Sequence, residues 1–459
     1  MSDIKRLLFC DFKPDIKNQF SKNSLICNNF YNVSFSNGII DSNLNTCDFM
    51  KNFLTETQYE NFTNQYGSLY ANISQFIPYQ YFDESGNLKL KMFAIDKNNS
   101  INEYDADECK LTNLNTVLSN KPKIVYHNDS VYLLDGTSTV YIISNSQNLA
   151  FYENTKKVSY VKFYRNQTYY MLSDKPNTIY IVTDVDFEKL LTTEPATETL
   201  SIDVNYGSFQ DLIICDDYIY IIQDYGIAKI QKSKDETYFT YFKTHTKIIS
   251  GTAKSINNLI LFYSTSGLYK FDGNKITPLF VDLFNNCNKQ GIAETFNNKY
   301  YLATQMNANN ELIDCLIEID IINDVYVVFL VGKVCSLESV ELKNIYSLII
   351  TTCDDGFYNS LSIGSSSGDF ACKKYVEFNP VFLDSHDEKS IVKLNIFAEG
   401  EFRFKIISNN GDSVSYNISN KFSTSNISLF GQYFKFEISS ISNFKIYSIY
   451  LEYQTINND

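Results

Sequence analysis

The chain has 459 residues, with 53 acidic against 39 basic side chains and a net charge of -14. Phosphate recognition needs clustered Lys and Arg, so this balance argues against nucleic acid as the main partner of the outer surface and leaves open only a local basic patch in a channel. Thirty-five Tyr and 35 Phe, with no Trp, 17 Gly and 7 Pro, favour pleated, half-buried surfaces and predict strands. No apolar run approaches the ~18 residues of a membrane span, and the short run after Arg6 falls below the core of a secretion signal.

Residues 1–74 read as an irregular amino-terminal arm and strand leader. Asp11 to Phe20 is polar and irregular. In Cys27-Asn-Asn-Phe-Tyr-Asn-Val-Ser-Phe-Ser-Asn-Gly-Ile-Ile40, Tyr31, Val33 and Phe35 alternate with polar residues. Such alternation before Asn37-Gly38 predicts a strand ending in a tight hairpin turn. Asp48 to Tyr59 has the composition of a short helix with weak apolar spacing.

From 75 to 368 one theme recurs, an apolar, aromatic-laced strand pair broken by a polar turn. A first copy runs from Ile73 to Tyr104, where Leu88 to Ile95 alternates as a half-buried antiparallel strand does. Lys110 to Ser119 reads as a loop or short helix. Further copies occupy Val131 to Ile143, Tyr169 to Val182, Leu212 to Ile230, Leu259 to Phe271, Lys299 to Leu330 and Ile345 to Ile363. Their spacing of roughly 40 residues is the period of a four-stranded propeller blade. Asp135-Gly136, Asp272-Gly273-Asn274, Asn297-Asn298 and Asp354-Asp355-Gly356 supply the turns. The expectation is a β-propeller of six or seven blades, with one blade completed by strands from both ends of the domain.

Ser365-Ser-Ser-Gly-Asp369 is linker-like. Residues 369–459 then hold short alternating strands at Tyr375 to Leu383, Ile391 to Ala398, Glu401 to Ile407, Phe434 to Ile438 and Phe444 to Tyr453, which predict a β-sandwich. The fold class is thus all-β, in three parts: arm, propeller and sandwich.

Few residues carry chemistry. The motifs of nucleophile-elbow hydrolases, zinc peptidases and dinucleotide or phosphate-loop proteins do not occur. Ten Cys lie scattered with no pair at CxxC spacing, and the three His (His127, His245, His386) are far apart. A zinc site is not expected, and the cysteines read as reduced and structural. Carboxylate pairs such as Asp216-Asp217 and Asp354-Asp355 would suit a glycosidase, but Asp-Asp beside a turn ordinarily caps the turn. Asp96 to Asp105 places oxygen donors as a calcium loop does, yet Ile101 stands where such a loop needs Gly, so an ordinary polar hairpin is expected. The sequons at Asn32, Asn72 and Asn166 are discounted in so Asn-rich a chain. No catalytic, cofactor-binding or metal residue is expected.

The leader, Cys27 to Ile40, resembles the strand leader of tailed-bacteriophage virion proteins. The close, Phe378-Asn-Pro-Val-Phe-Leu383 followed by Ser390-Ile-Val-Lys-Leu-Asn-Ile-Phe-Ala-Glu-Gly400, resembles the small sandwich that ends many of them. With propeller repeats between, the chain resembles the β-propeller tail accessory, nozzle or packaged-DNA-stabilisation proteins of phages and prophages. It departs from them after the leader, where Asp41-Ser-Asn-Leu replaces a basic stretch. The resemblance implies a non-enzymatic virion subunit in a homo-oligomeric ring, beside portal, adaptor or other tail proteins. Such a ring seals or extends a channel through which DNA passes without specific binding. A carbohydrate- or receptor-binding propeller of a tail fibre or spike is the alternative reading, with a glycosidase or a host scaffold propeller behind it.

Overall fold

The computed structural model describes residues 4–10, 12–14, 26–36, 39–42, 46–48, 56–70, 72–83, 85–105, 110–127, 130–144, 147–153, 156–183, 198–232, 237–308, 311–342, 345–354, 357–364 and 374–456. The Ser365 to Asp369 linker, Asn37-Gly38 and Asp355-Gly356 lie outside them.

The apolar strand pairs build seven four-stranded antiparallel sheets. These blades span 73–117, 123–152, 158–201, 209–243, 254–279, 292–329 and, for the seventh, 334–364 together with Thr46–Asp48. Each interface between consecutive blades is filled by its own buried apolar cluster, and blade 7 packs on blade 1 through Val340, Ile349, Phe76 and Met92. The ring therefore closes into a β-propeller. Leu259–Ser264 shows why continuous apolar runs mark the blades. Ile260 and Phe262 enter the core shared with blade 4, while Leu261 and Tyr263 enter the core shared with blade 6. A strand buried on both faces needs apolar side chains at every position.

The turns form where Asn, Asp and Gly predict them. Gly136 and Gly273 have φ of 79° and 91°, and the carboxylate of Asp272 accepts backbone N–H bonds from Asn274 and Lys275 at 3.0 and 2.8 Å. Blade 7 is completed from the amino-terminal side, as Thr46–Asp48 pairs with Phe357–Gly364.

Two elements differ from expectation. Lys110–Val117 is the outer strand of blade 1, neither loop nor helix; facing solvent, it carries no apolar run, and its register slips after Asn113. The helix runs over Glu56–Tyr70, later and longer than the sequence suggested. Tyr59, Phe62 and Tyr66 share one helical face, and Phe62 meets Tyr104 edge-on at 4.9 Å.

Of the amino-terminal stretch, Asp11 to Phe20, read as irregular, lies outside the described residues apart from 12–14, while the strands around it are paired. Ile4–Phe9 lies antiparallel to Phe444–Thr455, Ile26–Tyr31 pairs with Lys374–Phe378, and the Ser34–Ser36/Ile39–Asp41 hairpin continues the edge that Ile4–Phe9 occupies, at Lys445 and Ile446, the opposite edge of Phe444–Thr455 being taken by Lys389–Ser408. The carboxy-terminal strands and these leaders make one curled eleven-stranded sheet whose two halves enclose a common core. The 20-residue strand Lys389–Ser408 belongs to both halves. It turns at Gly400, whose φ is 81° and where a Cβ would stand 2.2 Å from the Asn443 carbonyl oxygen, so only glycine fits. The same core runs on into blades 5 and 6. Phe30 stacks on Tyr326 of blade 6 with ring centroids 5.5 Å apart.

Candidate functional site

The first strands of the blades adjoin around the axis, and their polar side chains meet there. Lys254 of blade 5 pairs with Glu294 of blade 6 at 2.8 Å. Tyr160 of blade 3 hydrogen-bonds Asp211 of blade 4, and the Lys123 ammonium of blade 2 stands 3.5 Å from the centre of the Tyr160 ring. Tyr126 donates to the Pro78 carbonyl at 3.3 Å. Lys121, in the connection that leads into blade 2, reaches the Cys335 carbonyl of blade 7 at 3.3 Å. The axis is thus laced with polar contacts between blades.

This enclosure perturbs the ionisable groups. Burial pushes the Glu338 carboxyl up to about 7, against the pull of Lys121 and a hydrogen bond from Gln75. Its Oε1 has no hydrogen-bond partner among the described residues. Burial lowers Lys123 to about 8, with Asp211 opposing and Lys162 and Lys254 adding to the shift. Tyr126 keeps 48 % of its surface open, yet burial and then Glu338 push its phenol up. Both facts fit a side chain that water reaches only along a narrow, protein-walled channel.

Two clefts open between neighbouring blades. One, of about 390 Å³, lies between blades 3 and 4 and is walled by Tyr164, Gln167, Tyr218 and Tyr238, with Arg165 and Asp217 at 2.6 Å from each other. The other, of about 370 Å³, lies between blades 4 and 5 and is mainly apolar, with Phe242, His245, Tyr269 and Lys275 among its walls.

The residues singled out in the sequence do not converge. Asp216 and Asp217 form the left-handed turn of a hairpin, with φ of 46° and 63°. Asp354 ends a strand of blade 7, and Asp355 lies outside the described residues. Asp96 caps its own hairpin, its Oδ1 accepting from the Asn98 and Ser100 amides at 2.8 and 2.9 Å, while Ile101 is buried. Among the described residues no group of three or more His, Cys, Asp or Glu is placed to hold a metal ion. His127 stacks on Phe163, His386 meets Phe382, and His245 lines the second cleft. Cys10, Cys215, Cys287, Cys315, Cys335 and Cys353 are free thiols. Asn32 of the first sequon is buried. Among the described residues no helix is long and apolar enough to cross a membrane.

Sequence reasoning missed the axial groups, because isolated polar residues on the first strands look like any polar residue of an alternating strand. It also passed over the clefts, whose walls come from two blades. Arg165 offered a signal: it sits in a left-handed turn position where the other hairpins of this type carry Asn or Asp.

No family model and no curated protein matches the chain. Among solved structures it is similar to BBS1N in complex with ARL6DN, at 10% identity over 65% of this chain and 95% of that one, with a TM-score of 0.44. It is similar to the extracellular domain of the putative one-component system BT4673 from B. thetaiotaomicron, at 10% identity over 88% of this chain and 58% of that one, TM-score 0.42. It is also similar to apo AztD from Citrobacter koseri, at 10% identity over 79% and 90%, TM-score 0.33. At such distances these likenesses carry no argument about what this chain binds or does.

Proposed function

We propose that the chain is a non-catalytic structural component of a phage or prophage-derived virion. In this reading it is a tail, nozzle or head–tail ring subunit that assembles with copies of itself and with portal, adaptor or other tail proteins. The observation that carries the reading is how the chain closes on itself. Thr46–Asp48 completes blade 7, and the strands before it join the sheet that contains Phe444–Thr455. Closure leaves no blade with an uncovered face, and the remaining edges are the short outer strands of the blades. It suits a part that keeps its shape under load better than one that opens around a substrate. The axis of each propeller is occupied by Lys121, Lys123, Tyr126 and Tyr160, so the conduit for DNA would be the one enclosed by the ring of subunits. The net charge of -14 lets DNA pass such a ring without binding it. Two of the axial acids are engaged within the ring of blades, Glu294 by Lys254 and Asp211 by Tyr160, which supports the non-enzymatic reading.

Proteomic analysis of purified particles from the phage or prophage that encodes the chain tests this. The reading expects its peptides in a fixed ratio to those of the portal. Their absence from intact particles overturns it.

A second reading, a carbohydrate- or receptor-binding propeller, is favoured by the tyrosine-walled cleft between blades 3 and 4.

A further inference from the structure

We infer that the cleft between blades 3 and 4 is a binding site for a neutral saccharide. The inference rests on the cleft alone and stands or falls separately from the virion reading.

The cleft is built by two neighbouring hairpin turns. Arg165-Asn166 joins the first two strands of blade 3 and Asp216-Asp217 those of blade 4, all four residues with φ between 46° and 63°. Blades 5 and 6 make the equivalent turns with Asn257-Asn258 and Asn297-Asn298, the residues that tolerate left-handed backbone best. Arginine tolerates it poorly, and strain of this kind persists where the side chain is needed. The chain's only arginines are Arg6, Arg165 and Arg403. Arg165 is held twice over: its guanidinium meets Asp217 at 2.6 Å and lies over the Tyr164 ring, 5.0 Å from its centre. The Tyr164 hydroxyl also reaches Asp217, at 3.4 Å. An exposed pair of this kind adds little stability. What it does is fix a planar donor fork beside a carboxylate at the mouth of the cleft.

The walls behind the pair are aromatic. Tyr218 and Tyr238 are 41 % and 49 % exposed, and the Lys229 ammonium stands 3.3 Å from the centre of the Tyr218 ring, steadying it. Gln167 accepts a hydrogen bond from the Tyr169 hydroxyl at 2.6 Å and Gln231 from Thr240 at 2.7 Å, so both amides are oriented. Tyrosine faces beside oriented carboxylate, guanidinium and amide groups are what a sugar ring requires. Its C–H face packs on an aromatic ring while vicinal hydroxyls bond to planar polar groups in pairs. The volume of about 390 Å³ falls within the range of small-molecule clefts, roughly 300–1,000 Å³.

Charge selects the class of sugar. Asp217 already neutralises Arg165, so an acidic sugar would have to displace a carboxylate in contact with its only guanidinium. The overall charge of -14 also repels anions from a distance. A neutral hexose, N-acetylhexosamine or short oligosaccharide of these fits.

The test is saturation-transfer NMR on the full chain with glucose, galactose, mannose, N-acetylglucosamine and their oligosaccharides, with sialic acid as the acidic comparison. The inference expects saturable binding of a neutral sugar, about tenfold weaker or worse, a loss of at least ~1.4 kcal/mol, in Tyr238→Ala and in Asp217→Asn. Both positions are exposed and Asn keeps the left-handed turn, so both variants should fold; circular dichroism checks this. Tyr269→Ala, in the second cleft, should leave binding unchanged. No saturable binding of any neutral sugar up to about 10 mM, preference for sialic acid, or binding untouched by Tyr238→Ala and Asp217→Asn overturns it.

Discussion

The Tyr160 hydroxyl of blade 3 accepts a hydrogen bond from the Leu212 backbone N–H of blade 4 at 3.0 Å, and it donates to the neighbouring Asp211 carboxylate. One side chain thus ties two blades beside the axis. Burial and the Asp211 charge hold its phenol well above the ordinary range, so it stays protonated as that bond requires. Tyr160→Phe removes these bonds, while the Leu212 N–H keeps the Asp211 Oδ1 at 2.8 Å and is not orphaned. The expected cost is therefore that of a hydrogen bond, about 0.5–1.5 kcal/mol, read as a lower denaturant midpoint at unchanged slope. An unchanged midpoint would show that the tie contributes nothing.

Glu338 predicts a pH dependence. Its folded-state carboxyl is raised by burial from 4.5 to about 7, among Gln75, Lys121, Tyr126 and Glu294. Between these two values the folded chain holds a proton that the unfolded chain has released, so this group's contribution falls as pH rises and is lost above about 7. Glu338→Gln removes it. Relative to the native sequence, the variant should gain stability from pH 5 to pH 8 in paired denaturation curves. A difference that is constant with pH would contradict the shift.

Asn32 links the leader to blade 6. Its N–H donates to the Val328 carbonyl at 2.7 Å, its Oδ1 accepts from the Leu330 N–H at 2.9 Å, and its φ is 56°. Asn32→Gly keeps the backbone conformation and loses the side-chain bond, while Asn32→Ala loses both. Alanine should therefore cost more than glycine, the bond alone being about 1 kcal/mol. Equal midpoints for the two variants would remove the left-handed backbone from the account.

The thiols should separate by position. Burial pushes Cys287 up to about 12 and Cys335 up to about 11, and the thiolate is the reactive form. In iodoacetamide labelling of the native chain at pH 8, mapped by peptide mass, exposed Cys10 should label first. Cys215, Cys287 and Cys315 should label only after unfolding. Rapid native labelling of Cys287 would contradict the blade 5 and 6 packing.

The propeller was legible because its rules are local. The run from Ile260 to Tyr263 is apolar or aromatic at every position since both faces are buried, and Asn297-Asn298 turns where a two-residue left-handed hairpin demands it. The outer strand Lys110–Val117 was not legible, because with one face to solvent it needs no apolar pattern. Nor was the pairing of Ile4–Phe9 with Phe444–Thr455, since residues more than 400 positions apart leave no mark on each other's spacing. The cleft between blades 3 and 4 shares this difficulty: Arg165 and Asp217 each read as turn residues until the fold sets them side by side.

Native mass spectrometry of the full chain, alone and with the portal and adaptor products encoded beside it, tests the structural reading most directly. The account predicts a ring of defined copy number or a stoichiometric complex with those partners. A chain that stays monomeric and binds none of them would contradict it.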